Sequence, residues 1–149
     1  MVSKHQISDD FEIDYENISI KDARNIKLRF ILYLEKLEEL LEASFQEEKT
    51  QQIKPFLSFI KKEINNFSSD SIKLDKIEIA KVLTDIDYIN IGSSILLDIP
   101  LNDCFEIIHR NNLEKEDSFN KKPITRADGK ILYDSNHTPP NLESVLLKD

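Results

Sequence analysis

The stretch from Ile26 to Glu42 reads Ile-Lys-Leu-Arg-Phe-Ile-Leu-Tyr-Leu-Glu-Lys-Leu-Glu-Glu-Leu-Leu-Glu. Ile26, Phe30, Tyr33, Leu34, Leu37, Leu40 and Leu41 recur at helical spacing, which predicts an amphipathic helix. Glu35, Glu38, Glu39 and Glu42 fall on its opposite side. Upstream, Ser19 followed by Asp22 resembles a capping box and marks the helix start. The helix is expected to end near Phe45, before the polar run Gln46 to Gln52.

The same period continues along the chain. A second helix is predicted from about Ile53 to Phe67, carrying Phe56, Leu57, Ile60 and Ile64, and Ser68 to Ser71 break it. A third should run from about Leu74 towards Leu97 through Ile77, Val82, Ile86 and Ile95. Gly92 interrupts it at a cost in stability, unless close packing needs the missing side chain. After Asp98-Ile99-Pro100 a fourth helix is expected, with Leu101, Phe105, Ile108 and Leu113 as its buried stripe. Residues 1–18 read as a flexible arm with sparse apolar anchors. Residues 19–149 read as one domain with an irregular tail over 114–149, where Asp128-Gly129 signals a turn, within a short hairpin or an ordered tail. The fold expected is all-α, a bundle of four or five helices.

Composition narrows the function classes. The chain has 149 residues, two glycines, five prolines, one cysteine and no tryptophan. An average composition would supply roughly ten glycines at this length. Their scarcity argues against sandwiches and barrels and against glycine-rich phosphate loops. With 20 basic and 28 acidic residues the formal charge is −8. This balance argues against a nucleic-acid polymer as partner, because that affinity needs clustered Lys and Arg. An acidic protein still binds a polyphosphate if a divalent cation mediates. The lone Cys104 excludes an intrachain disulfide, fits a reducing cytoplasm, and reads as a small core residue. No leader and no membrane-spanning run is expected.

Three constellations carry possible chemistry. Carboxylates one turn apart, as in Glu35, Glu38, Glu39 and Glu42, can share a hard cation; such a run is also the ordinary make-up of a solvated helix face. On the third helix Asp85 sits among Val82, Leu83 and Ile86, and a carboxylate buried there would need a partner or a metal. The segment His109-Arg110-Asn111-Asn112-Leu113-Glu114-Lys115 puts cations at a helix end, suited to an anionic ligand or to the helix dipole.

From Leu83 to Leu146 these residues resemble the all-α nucleoside triphosphate pyrophosphohydrolases, the superfamily of MazG-like and phosphoribosyl-ATP pyrophosphohydrolase-like proteins. Asp85, Tyr88 and Gly92 keep that family's order on its third helix. Phe105 and the His109-to-Lys115 segment follow in register, and Asp128-Gly129-Lys130-Ile131-Leu132, Tyr133 and Pro139-Pro140 match the closing tail. The resemblance implies hydrolysis of a nucleoside triphosphate to monophosphate and pyrophosphate, with Mg²⁺ (or Mn²⁺) on carboxylates of two helices. It makes Glu39 and Asp85 the catalytic pair, and Glu35, Glu38, Glu39, Glu42 and Asp85 the candidate metal ligands. Tyr88, His109, Arg110, Asn112, Lys115 and Lys130 become candidate nucleotide contacts. It also implies a homodimer or a larger homo-oligomer.

The metal motifs depart from the family pattern. Val82 stands where the resemblance expects a Glu, and Glu78 lies one turn earlier. The first motif fits two frames: Glu35-Lys36-Leu37-Glu38-Glu39, with Lys36 replacing a Glu, and Glu38-Glu39-Leu40-Leu41-Glu42. Glu39 serves in both. These departures leave an alternative open, a catalytically impaired relative that binds nucleotide or a protein partner without turnover.

Overall fold

The computed structural model describes residues 13–117, 125–132 and 138–147, with the side chains of 115–117 outside that set. Most of the arm expected over 1–18, and Tyr133, lie outside the described residues. Two compact units divide at Leu74 and Asp75.

The first unit is a helical hairpin. Helix α1 spans Ile20–Ser44. Ser19 caps it as expected, its hydroxyl accepting from the Asp22 backbone N–H at 3.1 Å. Helix α2 spans Glu47–Asn66 and starts six residues before the predicted Ile53. The polar run misleads because it shows no apolar period and yet forms the first turns, and Pro55 lies inside the helix. Glu47 and Glu48 sit in the first turn, where the helix dipole favours acids. The buried Thr50 donates its hydroxyl to the Glu47 carbonyl at 2.9 Å.

The two helices run antiparallel, as ion pairs along their length show. Near the start of α1, the Lys27 ammonium donates to the carbonyls of Asn65 and Phe67, both at 3.1 Å. It thereby caps the end of α2. Further along, Lys61 pairs with Glu38 at 2.7 Å, and Lys54 pairs with Glu42. Ala23 and Ile31 of α1 and Leu57 of α2 are buried in this hairpin.

In the second unit, helix α3 spans Lys76–Leu96 and helix α4 spans Leu101–Asp117. The Asp75 carboxylate caps α3 by accepting from the N–H groups of Ile77 and Glu78. The helix passes through Gly92 without interruption, and among the described residues nothing beyond the helix's own nearby backbone lies within 4 Å of the place a Cβ would occupy. A Schellman motif ends α3: Ile99 N–H reaches the Ser94 carbonyl at 2.8 Å and Asp98 N–H reaches that of Ile95 at 3.3 Å. Asp98 takes the left-handed position with φ of 53°.

On α4 the inward stripe differs from the one expected. Cys104 and Asn111 are buried, whereas Phe105 is 53% exposed and Leu101 and Ile108 are each 39% exposed. The pattern failed because Asn111, a polar residue, occupies the inner face one turn beyond Ile107. The expected hairpin is present as one antiparallel bridge, Thr125 with Ile131, closed by Arg126 N–H to the Lys130 carbonyl at 2.8 Å. Gly129 has φ of 96°, which a side chain would strain. Helix α5 spans Glu143–Leu146. Among the described residues there is no β-strand beyond that bridge, and the fold is all-α as expected. No helix of the described residues is long and apolar enough to cross a membrane.

Candidate functional site

The sequence-predicted groups fall on four places in the fold. On α1, the four glutamates keep to one side of the helix, but lysines already engage three of them. Lys36 bonds Glu39 at 2.6 Å within the helix. Glu38 and Glu42 reach across to Lys61 and Lys54 of α2. The Glu42 carboxylate raises the Lys54 pKa above its ordinary value, chiefly through their hydrogen bond. Glu35 is half-buried on the same side.

The Glu38–Lys61 pair is shielded, with side chains 22% and 24% exposed. The Glu39–Lys36 pair stands in solvent at 57% and 68%, where an ion pair contributes little. Of the two frames, then, Glu38 and Glu42 serve the hairpin. Glu39, one turn beyond Glu35, pairs within α1 instead, with Lys36.

On α3, Asp85, Val82 and Tyr88 are all exposed. The apolar neighbours of Asp85 in sequence do not bury it, so desolvation gives no reason for a partner there. On α4, the His109 ring stacks on Phe105 with centroids 5.8 Å apart and an 11° interplanar angle. Arg110 reaches Glu106 at 3.5 Å. Asn112 is exposed, and the Lys115 side chain lies outside the described residues. Phe105, His109 and Asn112 share a stripe at intervals of four and three.

In the hairpin, Asp128 accepts from Arg126 Nε at 2.9 Å and from the Lys130 backbone N–H at 3.2 Å. The Arg126 guanidinium holds the Asp128 carboxyl below the usual carboxylate range. This turn network fixes the backbone at Lys130, a role for Arg126 that the sequence reading missed.

Carboxylate oxygens are the donors a hard dication takes, and Mg²⁺ commonly uses one or two of them together with substrate phosphates. Glu35 and Glu39 meet that requirement in kind. No group of three or more His, Cys, Asp and Glu side chains is gathered to hold a metal among the described residues.

The all-α fold agrees with the all-α nucleoside triphosphate pyrophosphohydrolases, the class to which the chain's family belongs. Within that class, the chain belongs to the phosphoribosyl-ATP pyrophosphohydrolase family, whose model matches residues 4–112. Its chemistry is that of a hydrolase acting on a phosphoric anhydride bond. The match runs through α1, α2 and α3 and along α4 to Asn112, and it stops before Lys115 and Lys130. No curated protein and no solved structure gives a match.

Proposed function

We propose that the protein hydrolyses the anhydride between the α and β phosphorus atoms of a nucleoside triphosphate, or of a phosphoribosyl-ATP-like nucleotide. The products are the monophosphate and pyrophosphate. The family match over residues 4–112 carries this reading. Glu35 and Glu39 of α1 are the candidate ligands for Mg²⁺, and Asp85 of α3 is a further candidate tested by itself. The bound cation would neutralise charge on the phosphates and acidify a water molecule. His109, Arg110 and Asn112 near the end of α4, Lys115, Lys130 and the exposed Tyr88 ring are candidate contacts for phosphates and base. Lys36 stands on Glu39 and must release it for a cation to bind. Its exposed position makes that exchange inexpensive.

A panel of nucleoside triphosphates and phosphoribosyl-ATP, assayed for pyrophosphate with Mg²⁺ or Mn²⁺, tests the reading. Release above blank for one of them is expected, and silence across the panel rejects turnover. Asp85→Asn should lower kcat/KM by about 100-fold or more if the carboxylate holds metal. Unchanged turnover would remove Asp85 from the ligand set.

One observation favours a second reading, binding without turnover: α1 carries a lysine on three of its four glutamates, and Val82 brings no oxygen to α3. Calorimetry showing nucleotide binding that is indifferent to Mg²⁺ would support that reading over catalysis. We also propose that α3 pairs with a second copy of the chain, and that the protein works in the cytoplasm.

A further inference from the structure

The buried polar side chain on α4 is Asn111, 8% exposed, between two of the candidate nucleotide contacts in sequence. Its Nδ2 donates to the Thr138 carbonyl at 2.8 Å, a bond spanning 27 residues. Thr138 opens the strap 138–147, which continues through Pro139-Pro140 into α5. Four residues are too few for a helix to persist alone in water. The α5 hydrogen bonds, such as Leu147 N–H to the Glu143 carbonyl at 3.0 Å, therefore depend on the strap being docked. Asn111 shares its face of α4 with Cys104 and Ile107, while Asn112 lies about a quarter-turn round the helix and His109 on its far side.

We propose that Asn111 is a positioning residue: its amide latches the strap onto the stretch of α4 that carries His109 and Asn112 on its other sides, so that strap docking and nucleotide binding favour each other. The proposal rests on the nucleotide reading above. Its physical basis is linkage. A docked strap fixes the end of α4, so a nucleotide contacting that end has less motion left to freeze, and the benefit is reciprocal. Asparagine suits the position because it donates to a carbonyl without carrying charge. Aspartate of the same shape would set lone pairs against that carbonyl.

Hydrogen exchange on the full chain tests the latch without nucleotide. In Asn111→Asp, the amides of Val145, Leu146 and Leu147 should exchange about tenfold faster, while that of Cys104, bonded to the Pro100 carbonyl, stays unchanged. Equal exchange at 145–147 in both proteins overturns the latch. With ATP and Mg²⁺ added, the native strap should exchange more slowly still and the variant's should not. A native strap indifferent to ATP overturns the coupling. Steady-state kinetics add a second readout: KM should rise about tenfold with a smaller change in kcat, the mark of weakened binding. A fall in kcat alone would overturn the positioning role. If neither protein releases pyrophosphate, the reading of catalysis fails, and the exchange contrasts still decide the latch.

Discussion

Asp98 holds a conformation that a residue with a Cβ adopts at some cost, since a left-handed L-residue loses roughly 1–2 kcal/mol, with Asp and Asn at the low end. The chain has two glycines and places neither there. Asp98→Gly should therefore stabilise the fold by about 0.5 kcal/mol, the relief of strain being partly offset by greater freedom in the unfolded chain. Urea denaturation measures the shift; a loss of stability would mean that the Asp98 side chain itself contributes. Asp128 gives a pH-dependent counterpart. Its carboxyl is depressed in the folded protein, mainly by Arg126, so its contribution is fully present above its ordinary value of 3.8. That contribution is lost as pH falls through the lower folded value. Chemical shifts of the Gly129 amide should hold steady from neutral pH to about pH 4 and change only below it. A titration centred at or above the ordinary carboxylate range would contradict the Arg126 pairing. Of the candidate site, the sequence disclosed residue types and order, as with His109-Arg110-Asn111-Asn112. It did not disclose which groups were already engaged, because Lys61 and Lys54 meet Glu38 and Glu42 only once the hairpin forms.

Among the elements, α1 was the most legible. Its apolar period, its serine cap and its end near Phe45 agree with Ile20–Ser44, since local propensity and pattern point the same way there. Helix α2 was less so, because the polar run Gln46 to Gln52 lacks an apolar period and yet forms its first turns. Its first two turns form against α1, and Lys54 is anchored by Glu42. On α4 an apolar count could not foresee that Asn111 would face inward, because its partner Thr138 lies in a tail without helical period. The hairpin itself depends on Lys27, which bonds two of the last carbonyls of α2. Lys27→Met keeps the aliphatic stem and removes the ammonium, leaving the Asn65 and Phe67 carbonyls to water and the helix dipole uncompensated. The expected loss is about 1 kcal/mol, read as a lower urea midpoint with an unchanged m-value. An unchanged midpoint would show that water replaces the ammonium fully.

For the whole molecule, α3 poses the largest question. None of its described residues is buried, and Ile77, Ile95 and Leu96 are 75–84% exposed. A helix apolar around its circumference is stable when neighbours surround it, and an exposed patch of this kind marks an interface. The net charge of −8 opposes self-association, yet residues 88–97, Tyr-Ile-Asn-Ile-Gly-Ser-Ser-Ile-Leu-Leu, carry no charge at all. Two copies of that segment can therefore meet without like-charge repulsion, and the open space beside Gly92 lets a second backbone approach. Light scattering at micromolar concentration should give a mass at least twice the 17.4 kDa of one chain, and a persistent monomer would refute the pairing. Gly92→Ala then separates the two explanations of this glycine. If Gly92 faces water, alanine stabilises the protein by about 0.5–1 kcal/mol through helix propensity alone. If a second copy packs against it, the added methyl weakens the dimer. The melting temperature then falls, and falls further on dilution, because stability and association are linked by mass action.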